Sequence, residues 1–382
     1  MTWDEVSARR LARHHLTEVD RAGDPAAAAA GALGIHAQVM SAAEVSIGIR
    51  TGGVTRAGVR DALWANQSLI KSRGPRGTVH LLAAADLSMW TGALQAVPTG
   101  PGPFAPGVRM TGTQTDQVIA AIADAVAAAD TSLTVDELTA AIVERAGPWA
   151  GERVMPAFQD LWPRWRQAEA AAMHRGAMCF GPDRARRATY MSPARRHAGF
   201  RPAPAEEALP ALVTRYLRAY GPATPAHFAR WLGASPAWAA ELFARFAGMI
   251  EPVDFDGVEA WVALGDTTFE ERGYGPVRLL PYFDAYLIGC FPRAILFPGR
   301  AAERALTNGQ AGNVPALLVD GVVAGVWHQR RSGRRITVTV EPFARLGARQ
   351  RRLLDAEAER IAEILEGRAE LIIGPVTVGP HA

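Results

Sequence analysis

The sequence predicts an α+β fold built from tandem winged-helix modules, a variant of the helix-turn-helix, and closed by a small barrel or curled sheet. Three observations carry that prediction. A run of helices ending in a β-prone hairpin recurs three times, linkers crowded with Pro, Gly, Ala and Arg separate the copies, and beyond Gly275 the pattern changes to short strands around tight turns.

The first unit, residues 1–97, opens with a helix from Asp4 to Val19 that places Val6, Leu11 and Leu16 on one face. A second helix starts at Asp24-Pro25, where Asp can cap and Pro suits the first turn, and Thr55 is the N-cap of a third. Leu69 to Ser72 and Gly77 to Leu82 flank a Gly74-Pro75 turn and read as a hairpin. The second unit, residues 113–200, has a helix from Gln114 to Ala129 and a capping box at Thr134-Val135-Asp136-Glu137. A further helix spans Met155 to Met173, before a hairpin of Ala177–Phe180 and Ala188–Met191 whose turn is a candidate wing. The third unit, residues 205–265, repeats the scheme. Leu209 to Tyr220 is a helix, Thr224-Pro225 and Ser235-Pro236 begin two more, and Asp256-Gly257 turns a hairpin. Pro98 to Gly112 and Ser192 to Pro204 are the linkers. In residues 275–382, strands are expected at 278–280, 316–319, 322–327 and 335–340, with an amphipathic helix from Leu353 to Leu365.

Whole-chain properties limit the function classes. At 382 residues the chain exceeds one ordinary core, and 49% hydrophobic with 21% charged residues excludes large-scale disorder. A net charge of +3 permits nucleic-acid binding without requiring it. All the basic residues except Lys71 are Arg, and they cluster at Arg184, Arg186 and Arg187, at Arg195 and Arg196, and at Arg330, Arg331, Arg334 and Arg335. Clusters beside hairpin turns suit phosphate contact as well as they suit a solvated face. Cys179 and Cys290 are far apart, without metal-ligand spacing, so neither a structural disulfide nor a zinc site is expected. The N-terminus has acids early and no apolar core of a signal peptide, and the longest apolar stretch, Pro25 to Ile35, is too short for a bilayer span. A soluble, cytoplasmic monomer without membrane contact is the expectation.

The candidate chemistry lies in Gly34-Ile35-His36-Ala37-Gln38. His36 and Gln38 are the main polar side chains in an apolar surrounding, and such groups need partners or a wet pocket. In a regular α-helix an i, i+2 pair points about 200° apart, so both share a side only where the chain is extended or irregular. The plainer alternative is a His36 bonded to a nearby carbonyl and a Gln38 at a solvent edge, and spacing alone favours it.

Several blocks in order carry a resemblance. Arg76-Gly77-Thr78-Val79-His80-Leu81, Gly221-Pro222-Ala223-Thr224, Trp231-Leu232-Gly233, Leu279 to Gly289 and Val319 to Trp327 resemble the signature blocks of the AlkZ-like family of winged-helix DNA glycosylases. The resemblance implies three winged helices arranged in a C shape and braced by a C-terminal β-barrel. It also implies base excision on bulky alkylated DNA, including crosslinks in some members, with no metal or organic cofactor and with double-stranded DNA carrying alkylated bases as the partner. The family's catalytic pattern of Gln, a hydrophobic residue, then Gln or Asp matches His36, Ala37 and Gln38, with His36 departing from the usual Gln. Gln38 then orients a water, and a neutral His36 takes its proton, an unperturbed imidazole having a pKa of about 6.5. Arg73, Arg76, Thr78 and His80 are candidates to hold DNA at the first hairpin, as are Arg184, Arg186, Arg187, Arg330 and Arg331 elsewhere. Asp284, Tyr286 and Trp327 are candidates to line the lesion cleft, although Asp284 also suits a helix cap or a pair with Arg293, and for Trp327 a core position at a barrel closure is the commoner outcome. Two other classes stay open from the residues, a transcriptional or architectural DNA binder and a winged-helix protein with a protein partner. General repair and self-resistance to a DNA-alkylating metabolite are not distinguished.

Overall fold

The computed structural model describes the chain except residues 18–22, 101, 103, 158–159, 269–274 and 380–382. It divides into two compact units, one of residues 1–69, 80–84 and 213–382, the other of residues 70–79 and 85–212.

A single local plan recurs three times. In the first copy, helices Pro25–Gly31, Met40–Gly48 and Arg56–Trp64 precede strands Leu69–Arg73 and Val79–Ala83, and the two-residue strand Ile35–His36 pairs antiparallel with the last of these. In the second, Gly112–Ala128, Val135–Ala146 and Glu169–His174 precede Cys179–Arg184 and Arg187–Met191, and Leu133–Thr134 pairs with the later strand. In the third, Ala205–Tyr220, Pro225–Leu232 and Pro236–Arg245 precede Ile250–Phe255 and Val258–Ala263, and an isolated bridge, Ala223 to Trp261, replaces the short strand. The caps follow the local chemistry. Asp24 accepts from the Ala26 amide, Thr134 and Glu137 form a reciprocal capping box, and Ser235 accepts from the Trp238 amide. Thr55 occupies its N-cap position but turns its hydroxyl to Glu366 instead.

Several expectations are corrected. The first helix is Trp3–Arg13 and stops where His15 adopts a left-handed φ of 53°; the expected end at Val19 lies outside the described residues. Met155 to Met173 is not one helix. Pro156 and Pro163 each lack the amide that an α-helix interior requires, and the stretch contains a small hairpin, Arg153–Pro156 with Leu161–Pro163, before the short helix Glu169–His174. The helices Met40–Gly48 and Leu87–Gln95 went unread because their apolar residues run nearly all round and show little periodicity.

The C-terminal strands form an open sheet among the described residues, not a barrel. Val277–Leu280, Ala316–Val319, Val322–Ser332 and Arg335–Pro342 are antiparallel neighbours in chain order, and Arg368–Ile373 adds in parallel to the last. A parallel neighbour needs a crossover, which helix Ala348–Ile364 supplies. That helix buries Leu354, Ala358 and Ile361, while Ile336, Val338 and Val340 are sealed in the sheet. Closure would require the two edge strands to pair, and they are at opposite ends of the order.

The unit of residues 70–79 and 85–212 packs around Trp165, whose indole donates to the Thr139 hydroxyl at 2.9 Å. Its buried Glu169 accepts from Arg73, Arg166 and the Tyr190 hydroxyl. In the other unit, Arg10 is buried and donates to the carbonyls of Phe291 at 2.6 Å and Pro222 at 2.9 Å. His14 is fully enclosed beside the rings of Tyr220 and Tyr286. Burial, then the Arg50 cation, pushes its imidazole down to about 3. The unfolded chain therefore binds the proton that the folded chain refuses. Stability is full above about pH 6.5, the unfolded value, and falls as pH drops toward the folded value, by up to about 1.4 kcal/mol per pH unit from this group. Urea unfolding midpoints are expected to decline from pH 6 to pH 4, and His14→Gln is expected to make that slope shallower. An unchanged slope would mean that His14 is protonated in the folded protein.

Candidate active site

The helix Pro25–Gly31 ends in a turn through Leu33 and Gly34, both left-handed, with φ of 53° and 98°. The Gly34 amide bonds back to Ala29 at 2.8 Å, closing the helix. The chain then leaves extended, and Ile35–His36 pairs with strand Val79–Ala83 in a register that sets His36 opposite His80. The irregular backbone required by the i, i+2 spacing is present. Two residues later, ahead of helix Met40–Gly48, Gln38 is exposed in a bend.

The two polar side chains have different surroundings. His36 is 8% exposed, and its ring lies 4.1 Å from that of His80 and 6.5 Å from that of Phe283. The exposed Gln38 carboxamide is open to solvent. The imidazole is thus held by packing while the amide is presented.

The helix after Gln38 is anchored from its far end. Arg50, fully buried, meets both carboxylate oxygens of Asp284 at 2.8 Å and donates to the Ser46 carbonyl and hydroxyl. Asp284 also accepts from the Ser46 hydroxyl at 2.8 Å and caps helix Ala285–Gly289 through the Tyr286 amide. Burial alone would raise this carboxyl, but the Arg50 cation and these hydrogen bonds hold it below its usual range.

This geometry corrects the expected lesion-cleft residues. Asp284 is 1% exposed, and its ion-pair partner is Arg50, not Arg293. Tyr286 is fully buried with its hydroxyl donating to Gly321, and Trp327, 2% exposed, donates from its indole to Leu280. None of the three offers a face to a base. Arg50 and Ser46 were missed because nothing local ties them to a carboxylate more than two hundred residues away.

Most candidate phosphate ligands already have protein partners. Arg73 donates to Glu169 and to the Gly77 carbonyl, and the Thr78 hydroxyl donates to Pro75. His80 is in the strand ladder, and Arg76 is exposed at a left-handed turn position. Arg184 pairs with Glu137 and Arg187 with Asp136, both at the start of helix Val135–Ala146, while Arg186 is exposed at the tip. Arg331 donates to Gly333 and Leu365, and Arg330 is exposed beside it. Exposed pairs such as Arg187 with Asp136 contribute on the order of 0–1 kcal/mol, so a phosphate can displace the carboxylate at little cost.

The family profile described as DNA glycosylase AlkZ-like matches residues 29–364, which include the His36 strand, the three repeats from the end of helix Pro25–Gly31 onward, and the crossover helix. The chain belongs to the AlkZ-like DNA glycosylase family. A Streptomyces sahachiroi protein named interstrand DNA cross-link repair glycosylase is 32% identical over 345 residues, covering 85% of this AlkZ-like chain and 87% of its own length. The solved structure of the Streptomyces sahachiroi DNA glycosylase AlkZ superposes with a TM-score of 0.79 at 25% identity, over 98% of this chain and all of that one. The α+β architecture is therefore shared with a glycosylase along nearly the whole chain.

Proposed function

We propose that this protein is a monofunctional DNA glycosylase that hydrolyses the N-glycosidic bond of bulky N7-alkylated purines in duplex DNA and unhooks interstrand crosslinks built on such bases. The three repeats are winged helices that hold the duplex, and the protein works as a monomer without a cofactor. The observation that carries the reading is the strand-to-helix step that packs His36 against His80 and leaves Gln38 exposed. Family membership and the crosslink-repair relative support the same substrate class.

The chemistry asked of the site is limited. N7-alkylation makes the purine cationic, so the bond from C1′ to N9 breaks to release a neutral base and leave an oxocarbenium-like sugar. The Gln38 carboxamide oxygen accepts a hydrogen bond from a water and aims it at C1′. As the water oxygen bonds to C1′, its proton passes to a neutral His36 nitrogen. Holding the imidazole by packing restricts its orientation, which favours transfer from one water position.

The direct test is incubation of the full chain with duplexes bearing N7-alkylguanine or a guanine–guanine crosslink, scored for free base and for alkali-labile sites. Free base with no strand break before alkali is expected. Tight binding to undamaged DNA without base release would instead support a winged-helix binding protein.

A further inference from the structure

We propose that Tyr282 and Phe283 form the platform on which the alkylated base stacks, and that their ring faces select positively charged purine lesions. This rests on the glycosylase reading above and adds the residues that recognise the base.

The neighbours of these rings are all enclosed. Asp284, Ala285, Tyr286 and Leu287 are each at most 3% exposed, whereas Tyr282 and Phe283 stay half-buried. Phe283 continues an aromatic run that starts inside the protein. The rings of His80 and His36 are 4.1 Å apart, those of His36 and Phe283 6.5 Å, and those of Phe283 and Tyr282 6.4 Å. The run opens to solvent at the Tyr282 and Phe283 end, beside the residue assigned to proton transfer.

The segment is also rigidly placed. Phe283 adopts a left-handed φ of 57°, which a bulky side chain rarely takes, and its amide is tied to the Gly312 carbonyl at 2.8 Å. The next residue is clamped by Arg50 and Ser46. A left-handed residue next to a buried ion pair thus leaves two aromatic rings partly exposed.

The chemistry selects the ligand. A purine taken out of the stack needs a new stacking partner, and aromatic side chains supply one without regard to base identity. N7-alkylation adds positive charge, which the negative face of an aromatic ring attracts. The neighbouring Asp284 carboxylate is paired with Arg50, so the attraction for a cation is assigned to the rings.

The test separates recognition from bond cleavage. Binding is measured for the full chain with a duplex carrying 2′-fluoro N7-methylguanosine, whose fluorine resists glycosidic cleavage, and with the same duplex carrying guanosine. Wild type is expected to prefer the lesion, and Phe283→Leu to reduce that preference about tenfold, with affinity for undamaged duplex unchanged. Tyr282→Leu is expected to act in the same direction, and Phe283→Trp to restore the preference. Should Phe283→Leu fail to fold in a thermal melt, Tyr282→Leu decides the matter. Full preference in the folded leucine variants, or none in wild type, would overturn the platform. Lesion preference without base release from a cleavable duplex would leave the platform standing and remove the hydrolytic reading, and base release with preference intact in the variants would do the reverse.

Discussion

Gln38→Ala is expected to slow release of N7-alkylguanine from duplex DNA by roughly 100-fold under single-turnover conditions, and His36→Ala by a similar factor. Both figures reflect a positioned water, because the cationic base is already a good leaving group and little else remains to be supplied. In the proposed scheme the two side chains act on one water, so the double variant is expected to lose scarcely more than either single one. Gln38 is exposed, so its replacement leaves the packing untouched and the melting temperature within a degree or two of wild type. Unchanged rates in both variants would move the chemistry away from this segment altogether.

Asp284→Ala is expected to destabilise the fold by about 3–5 kcal/mol, because it leaves the Arg50 guanidinium charged, buried and without its carboxylate. Urea unfolding at neutral pH reads the loss. Arg50→Met combined with Asp284→Leu is expected to cost far less than either charge removal alone, since a matched apolar pair leaves no orphaned ion. A single-variant loss under about 1 kcal/mol would show that Arg50 finds water or another acceptor and that the pair does not anchor the helix behind Gln38. The carboxyl is held below its usual range, so its contribution is present above the unfolded carboxylate value and is lost as pH falls toward the folded one. Asp284 thus stabilises the protein most where His14 is also neutral.

The family blocks were legible in the chain because several stand in order, yet the candidate site residues in two of them are interior. Leu279 to Gly289 and Val319 to Trp327 contribute Asp284, Tyr286 and Trp327 to the interior, where recurrence of a motif reflects packing. Their hydrogen-bonding groups are occupied by Arg50, Gly321 and Leu280, which no spacing rule reaches. The arginines of the Cys179–Met191 hairpin had the same limit. Arg184 and Arg187 were visible as a cluster, but the carboxylates that meet them are on a helix some fifty residues earlier.

What the sequence determined by itself was local. The caps at Asp24, Thr134 and Ser235, the Asp256-Gly257 hairpin and the threefold recurrence all depend on backbone groups satisfied within a few residues, so their signals survive in a linear string. Tertiary structure alone decided which strands from distant segments met, whether the last sheet closed, and that His36 would face His80 while Gln38 stayed exposed. Those outcomes depend on burial and on pairing between distant segments. A side chain's type limits its possible partners, but the partner itself is supplied only when the chain comes together.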